Sequence, residues 1–371
     1  MSRDEIRRPL TPDTPADDDA PARVFLSRRK FLACIGGGLG LAAGYKLVVE
    51  PQESFLRSEV FVARAESYEA ELTGVIRDGL AALGMGPHRV KGKSILLKPN
   101  LVEPSHESPH VNTHPAVVRA AVEVFRLWDA REVRVGEGQG HCRDSDFVLE
   151  QSGLGRVLDE DGIEYVDLNH DEVYQVPNRR GYMNVDRFWL PTSLRRADLI
   201  VSLPKLKTHH WAGVTLSMKN LFGVMPGICY GWPKNVLHFA GIPQSILDIN
   251  AAVRPHLAIV DGIIGMDGDG PIMGNPRAAG VLVMGMNLPA VDASCARLMG
   301  IDPWRVSYLA AASGRLGPIG EPHISQRGEP IVSPSPPFAL LDRPGLRELQ
   351  GSYSKQTAGG DRFRLSRGRP S

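Results

Sequence analysis

The chain reads as an α/β protein on a mainly parallel, Rossmann-like sheet, and two patterns carry that reading. From Glu59 onward, short apolar or β-branched runs alternate with segments of helical period, as a parallel sheet covered by helices requires. The loops after those runs gather glycine, proline, lysine and histidine, and the carboxyl ends of strands are where open α/β sheets meet ligands. With 371 residues, 42% hydrophobic and 23% charged, the chain can bury a full core.

Taken in order, Glu59–Ala63 is the first expected strand and Ser94–Lys98 the next. Pro115–Ala130 has a helical period, with Val118, Ala121, Val122, Phe125 and Trp128 on one face and Thr113 near its start. Strands are expected at Arg131–Gly136, Glu164–Leu168 and Asp198–Leu203, and a helix over Val214–Phe222. Ser245–Val253 predicts a helix, His256–Asp261 and Val281–Gly285 predict strands, and Ala290–Met299 a closing helix. After Pro303 the periodicity fades, Pro336-Pro337 interrupts the chain, and Gly351–Ser371 is polar, basic and Gly-rich, a composition expected to be disordered. The organisation expected is a disordered leader (1–26), an export segment (27–54), an α/β domain (55–305) of two lobes with a cleft between them, and a Pro/Gly-rich extension (306–371).

Ser27-Arg28-Arg29-Lys30-Phe31-Leu32 precedes a Gly-rich apolar run closed by Lys46. A paired-arginine segment ahead of a modest apolar stretch has the form of a twin-arginine signal. The expected partner is the twin-arginine translocase and the expected location the periplasm, with residues 31–49 as a membrane tether if the segment is retained. The one A-x-A site, Ala63-Arg64-Ala65, falls in the first expected strand, so cleavage there would remove part of the core.

Charge and cysteine content exclude several classes. With 43 basic and 42 acidic residues the net charge is +1, which offers no field for collecting nucleic acid. Cys34, Cys142, Cys229 and Cys295 are scattered, without the spacing of a zinc or iron–sulfur site.

Four strand-end loops carry candidate chemistry. Lys98-Pro99-Asn100-Leu101 ends a buried strand with a cation and a carboxamide, and a solvated strand end is the plain alternative. Gly136-Glu137-Gly138-Gln139-Gly140-His141 is a glycine-rich turn whose backbone N–H groups can approach an anion or cofactor, marking Gly138 and His141, although its spacing is not G-x-G-x-x-G. The densest block runs from Pro204-Lys205-Leu206-Lys207-Thr208-His209-His210-Trp211 through Met218-Lys219-Asn220-Leu221-Phe222-Gly223 to His238. Its imidazoles suit metal binding or proton transfer and its amines suit anion binding or covalent attachment. Lys219 lies among apolar residues, where burial depresses an amine's pKa. The plain alternative makes Lys205 and Lys207 surface charges and lets Lys219 snorkel. Asp261-Gly262 and the later Asp267-Gly268-Asp269-Gly270-Pro271 place carboxylates on Gly-rich segments that orient a partner, bind a hard cation, or simply turn.

At these motifs the chain resembles the domain of unknown function 362 family. The likeness rests on Leu97-Lys98-Pro99-Asn100-Leu101, Leu203-Pro204-Lys205-Leu206-Lys207-Thr208-His209, Met218-Lys219-Asn220-Leu221-Phe222-Gly223, Ile259-Val260-Asp261-Gly262-Ile263 and Val291-Asp292-Ala293. Some relatives append a ferredoxin-like cluster domain, which implies redox chemistry, but this chain has no such cysteine array. More distantly it is similar to the lactate racemase family, whose enzymes carry a nickel pincer nucleotide on a lysine. That similarity implies Lys219 as the attachment lysine, His209 as a pocket residue and His238 as a metal ligand; Ser217-Met218 departs from the glycines that family has before its lysine.

The expected function is an exported oxidoreductase or isomerase acting on a small polar or anionic substrate, with a metal or organic cofactor. Lys219, His209 and His238 are the expected catalytic groups, with both histidines as candidate metal ligands. Lys98, Asn100, Gly138, His141, Lys205, Lys207, Asn220 and Asp261 are expected to bind substrate or cofactor. The alternative is a non-catalytic periplasmic ligand-binding or assembly protein using the same basic cleft.

Overall fold

The computed structural model describes residues 57–105, 107–141 and 144–350, all inside one unit spanning Pro51–Ser371. The expected leader, the paired-arginine segment with its tether, and the tail from residue 351 lie outside the described residues. Twelve strands follow in chain order: β1 (Ser58–Arg64), β2 (Ser94–Pro99), β3 (Glu132–Glu137), β4 (Glu164–Asp167), β5 (Val173–Pro177), β6 (Arg187–Pro191), β7 (Leu199–Leu203), β8 (Lys205–His209), β9 (Gly213–Thr215), β10 (Leu257–Asp267), β11 (Asn275–Gly285) and β12 (Ile324–Gly328). Ten of them make one sheet in the order β12-β1-β11-β10-β7-β2-β3-β4, with β8 and then β9 branching from β10, while β5 and β6 form a separate hairpin.

Its central part is parallel: β10, β7, β2, β3 and β4 run the same way. From β2 the chain winds outward to β3 and β4, then returns to add β7 and β10 on the other side. That reversal leaves a crevice at the carboxyl ends of β2 and β7, the switch point where such sheets bind ligands.

Strand alternation sorts the core into two apolar layers on opposite faces. Ile95 and Leu97 of β2 join a cluster with the helices Leu72–Ala82 and Pro115–Leu127, whereas Leu96 joins one with the helices Ile242–Val253 and Leu288–Leu298. The two expected lobes are therefore not seen among the described residues. Two layers share one sheet, because β2, β7 and β10 present apolar side chains to both faces and cannot expose either.

Two other expectations are revised. The segment Val214–Phe222 is not one helix, because Gly213, at φ 83°, lets the chain reverse into β9 against β8. The helix begins only at Ser217 and ends at Asn220. The chain after Pro303 is no loose extension up to residue 350. There β12 pairs in parallel with β1, and Tyr308, Leu309, Phe338 and Leu349 are buried in the core. At the start of the helix Pro115–Leu127 the His114 side chain accepts from the Ala116 N–H as the cap, while Thr113 has another role. Thr113 instead accepts from the Asn100 N–H at 2.9 Å and donates to the Leu203 carbonyl at 2.6 Å, tying the ends of β2 and β7 together. β1 is flanked by β11 and β12, so Ala63 and Arg64 of the Ala63-Arg64-Ala65 site close an internal strand and Ala65 follows it directly. No helix among the described residues is long and apolar enough to cross a membrane.

Lys205 and Asp261, expected to bind ligand, join β8 to β10. Lys205 Nζ lies 2.7 Å from the Asp261 carboxylate with both side chains fully buried. It also donates to the Tyr68 hydroxyl at 2.8 Å, and the His114 N–H donates to Asp261 at 3.0 Å. Removing one partner from such a pair strands the other charge. Asp261→Leu is expected to lower unfolding free energy by about 3–5 kcal/mol, while Asp261→Leu with Lys205→Met loses much less. Urea titration of both variants checks this, and equal losses would count against it.

Candidate functional site

At the carboxyl end of the sheet lies a cleft of about 410 Å³. Its lining includes Lys98, Asn100, Gly138, His141, His209, Lys219, Asn220 and His238, which sequence separation had distributed over three loops. Lys205, Lys207 and Asp261 do not line it. Lys207 is fully buried and donates to the carbonyls of Val111 and Pro271, at 2.6 and 3.1 Å, pinning together two loops. Burial and the neighbouring Lys205 hold its pKa well below the usual lysine value.

The floor is organised around Glu137. Its carboxylate faces Lys98 Nζ at 2.6 Å and accepts the N–H groups of Leu101 and Gly138, each at 2.9 Å. Lys98 also donates to Asn220 Oδ1 at 3.1 Å, and the Asn220 amide returns to the Lys98 carbonyl at 2.9 Å and to Ser202 Oγ at 3.0 Å. Gly223 closes over this group, since a β-carbon there would overlap both Glu137 and Lys98. Burial lowers the Lys98 pKa, and Glu137 opposes that shift.

Two histidines of the cleft hold opposite tautomers. His209 Nδ1 accepts the backbone N–H groups of Trp211 and Ala212, at 3.0 and 3.2 Å. In the neutral ring this leaves the proton on Nε2, a donor. His238 Nδ1 faces the Lys234 carbonyl at 3.0 Å, so that nitrogen carries the proton and Nε2 keeps its lone pair. Burial holds His209 well below the usual histidine pKa and lowers that of His238, so both are neutral at pH 7. The expected pairing of His209 with His238 as metal ligands is therefore corrected. The His209 Nδ1 lone pair is spent on backbone donors and its Nε2 carries the proton, and no group of three or more metal-ligating side chains occurs among the described residues.

Lys219 stands beside them. It is half-buried, and of the three lysines lining the cleft it alone makes no hydrogen bond or ion pair among the described residues; its Nζ lies 5.1 Å from the centre of the Phe222 ring. Burial, and then the charge of Lys98, lower its pKa to about 8. The helix that carries it is fixed by buried Asp292, which accepts the N–H groups of Ser217 and Met218 at 2.8 and 3.0 Å. Trp211, exposed at the rim, and Phe222 pack their rings against His238.

Sequence reading missed Glu137, Thr215 and Lys234 as site residues. Glu137 was within reach, since it ends a strand parallel to the one ending in Lys98. Lys234 had no such signal, because Trp232-Pro233-Lys234-Asn235 reads as an ordinary polar turn.

The site is thus a cleft at the switch point of an open α/β sheet, floored by a buried ion pair and walled by an amine and two neutral imidazoles. The chain is a member of the family described as domain of unknown function (DUF362), whose sequence profile matches residues 95–297, more than half of its length. A thylakoid-associated protein of Synechocystis sp. is 29% identical over 271 residues, covering 70% of this chain and 79% of that one. Among solved structures, the lactate racemase apoprotein from Thermoanaerobacterium thermosaccharolyticum aligns at TM-score 0.35 and 13% identity, covering 58% of this chain and 52% of that one. The chain thus spans about half the length of that racemase.

With a pKa of about 8, Lys219 holds roughly 300-fold more neutral amine at pH 7 than an ordinary lysine. Pulse acylation followed by peptide mass analysis is expected to show Lys219 labelled first, at a rate that levels off above pH 8 while exposed lysines continue to gain. A Lys219 rate still rising at pH 10 would show an ordinary amine.

Proposed function

We propose that the protein is an enzyme of the isomerase type that moves a proton on a small polar or anionic substrate. The observation that carries this reading is the pair of opposite histidine tautomers beside an amine that has no hydrogen-bond partner among the described residues. His238 Nε2 is the base that removes a proton from carbon. The His209 Nε2–H is the donor that meets the developing negative charge on the substrate's oxygen, and the Lys219 ammonium draws in its anionic group. A neutral donor suits that task, because it needs no proton from solvent.

Lys219 and His238 Nε2 also fit an amine-anchored organic cofactor carrying a metal, such as the nickel pincer nucleotide implied by the distant resemblance. The first would attach it and the second would offer its lone pair to the metal. When bound, such a group supplies electrophilic or redox chemistry that side chains lack, and an oxidoreductase would draw on it. His209 and Asn220 would then orient substrate.

The test is deuterium wash-in. The full chain, incubated in D2O with a panel of small hydroxy and keto acids, is expected to place deuterium on the substrate carbon, and His238→Gln to slow this about a hundredfold or more. If wild-type protein exchanges nothing while Lys219→Ala weakens ligand binding, the non-catalytic binding protein is the correct reading.

The same proposal places the enzyme in the periplasm, delivered by the twin-arginine translocase and tethered by residues 31–49 if the segment is retained. Because β1 is internal to the sheet, any cut that spares the fold falls before Ser58. Replacing both Arg28 and Arg29 with lysine is expected to leave the protein in the cytoplasmic fraction. Unchanged periplasmic recovery would sink the export route.

A further inference from the structure

Lys234, which also lines the cleft, brings a different chemistry. Lys234 sits in the left-handed region at φ 66° and is 2% exposed, an unusual conformation for a non-glycine residue. Its amine donates to Asn169 Oδ1 and to the Met225 carbonyl. Burial lowers its pKa to about 7; in the charged form, which a bound anion favours, the amine has three donors, so one remains. Unlike Lys98, which has Glu137, Lys234 makes no ion pair among the described residues.

Above it runs the turn Gly138–His141. A β-carbon on Gly140 would lie 3.9 Å from Lys234 Cγ, and one on Gly138 would lie 2.7 Å from the Gly223 carbonyl, so the turn packs directly over these groups. The Gly138 N–H is held by Glu137. The N–H groups of Gln139, Gly140 and His141 make no hydrogen bond among the described residues. Consecutive free N–H groups over a cation form an anion-binding concavity. Three N–H donors with an ammonium match the three terminal oxygens of a phosphate better than the two of a carboxylate.

A second observation points to a ligand in the same cleft. Among the described residues Asn100 Oδ1 and Thr215 Oγ1 are buried with no hydrogen-bond partner, in residues 8% and 3% exposed, and both residues line the cleft. A buried acceptor left unpaired is costly, and a ligand hydroxyl would satisfy it.

We propose that the cleft takes a small hydroxylated phosphomonoester, its phosphate on the Gln139–His141 turn and Lys234, its hydroxyl groups on Asn100 and Thr215. This rests on reading the cleft as a small-molecule enzyme site and names its substrate class. The phosphate then serves as the substrate's handle in the cleft that His238 also lines.

Calorimetry on the full chain tests it with glycerol 3-phosphate, inorganic phosphate and glycerol. Glycerol 3-phosphate is expected to bind about tenfold or more tighter than inorganic phosphate, with no detectable binding of glycerol. Lys234→Met should weaken both phosphate compounds about tenfold or more, and Asn100→Ala only the ester. Should Lys234→Met fail to fold, the wild-type protein still decides. Inorganic phosphate must move the amide resonances of Gly140 and His141, and resonances unmoved at saturating phosphate overturn the proposal. So do equal affinities for wild type and folded Lys234→Met, while phosphate binding no weaker than that of the ester leaves a free-phosphate site and overturns the ester. Phosphate binding at the turn without deuterium exchange on any substrate would instead retain this subsite and defeat the proton-transfer reading.

Discussion

The carboxylate of Glu137 is shut off from water, and the cleft takes its form from the way that charge is met. Lys98 Nζ neutralises it, while the N–H groups of Leu101 and Gly138 use its remaining lone pairs. Those partners come from the end of β2 and from the loops after β2 and β3, so one buried charge fixes the positions of both loops. The cost of desolvating an ion pair is large, and a parallel sheet does not require one at this point. Its presence where the sheet reverses its winding is better understood as organisation of a site than as stabilisation of a fold. Asn220 extends the same network to the short helix of Lys219, linking the floor of the cleft to its reactive wall.

Much of this was legible in the sequence, and the part that was not has a physical reason. Strand and helix positions in the parallel core were readable because β2, β7 and β10 are continuous apolar runs and the helices keep a clean period. The hairpin β8–β9 was hidden because Lys205, Lys207 and His209 look like loop residues, although the strand is buried throughout. Burial also reversed the meaning of its lysines. From sequence a lysine after a strand suggests an anion site, yet Lys205 is matched to Asp261 and Lys207 to carbonyls. The lysines that do line the cleft beside Lys98 are Lys219 and Lys234, one recognised by its apolar neighbours and the other unmarked by any local pattern.

The histidines show a similar limit. Sequence spacing identifies His209 and His238 as neighbours of Lys219 but is silent on which nitrogen of each ring bears a proton. That choice is made by backbone groups, two N–H donors for His209 and one carbonyl for His238. Identical side chains thus become a donor and an acceptor facing one cleft. A pair of metal ligands would need both lone pairs free, and this arrangement leaves one.

Placement of Lys219 is the last step in the argument. A lysine with a pKa of about 8 is useful only if its amine cannot swing to a carboxylate, since an ion pair would raise the pKa and spend the charge. Here the carrying helix is one turn long and has no side-chain cap of its own, so it would fray if left alone. Asp292, from the helix Leu288–Leu298, supplies the missing acceptor for Ser217 and Met218, and Asn250, from the helix Ile242–Val253, donates to the Met218 carbonyl at 2.9 Å. Burial raises the Asp292 pKa to about 7 even against those hydrogen bonds. The Lys219 helix is therefore held by groups in the layer beneath the sheet, and the two core helices are as much a part of the site as the loops that line it.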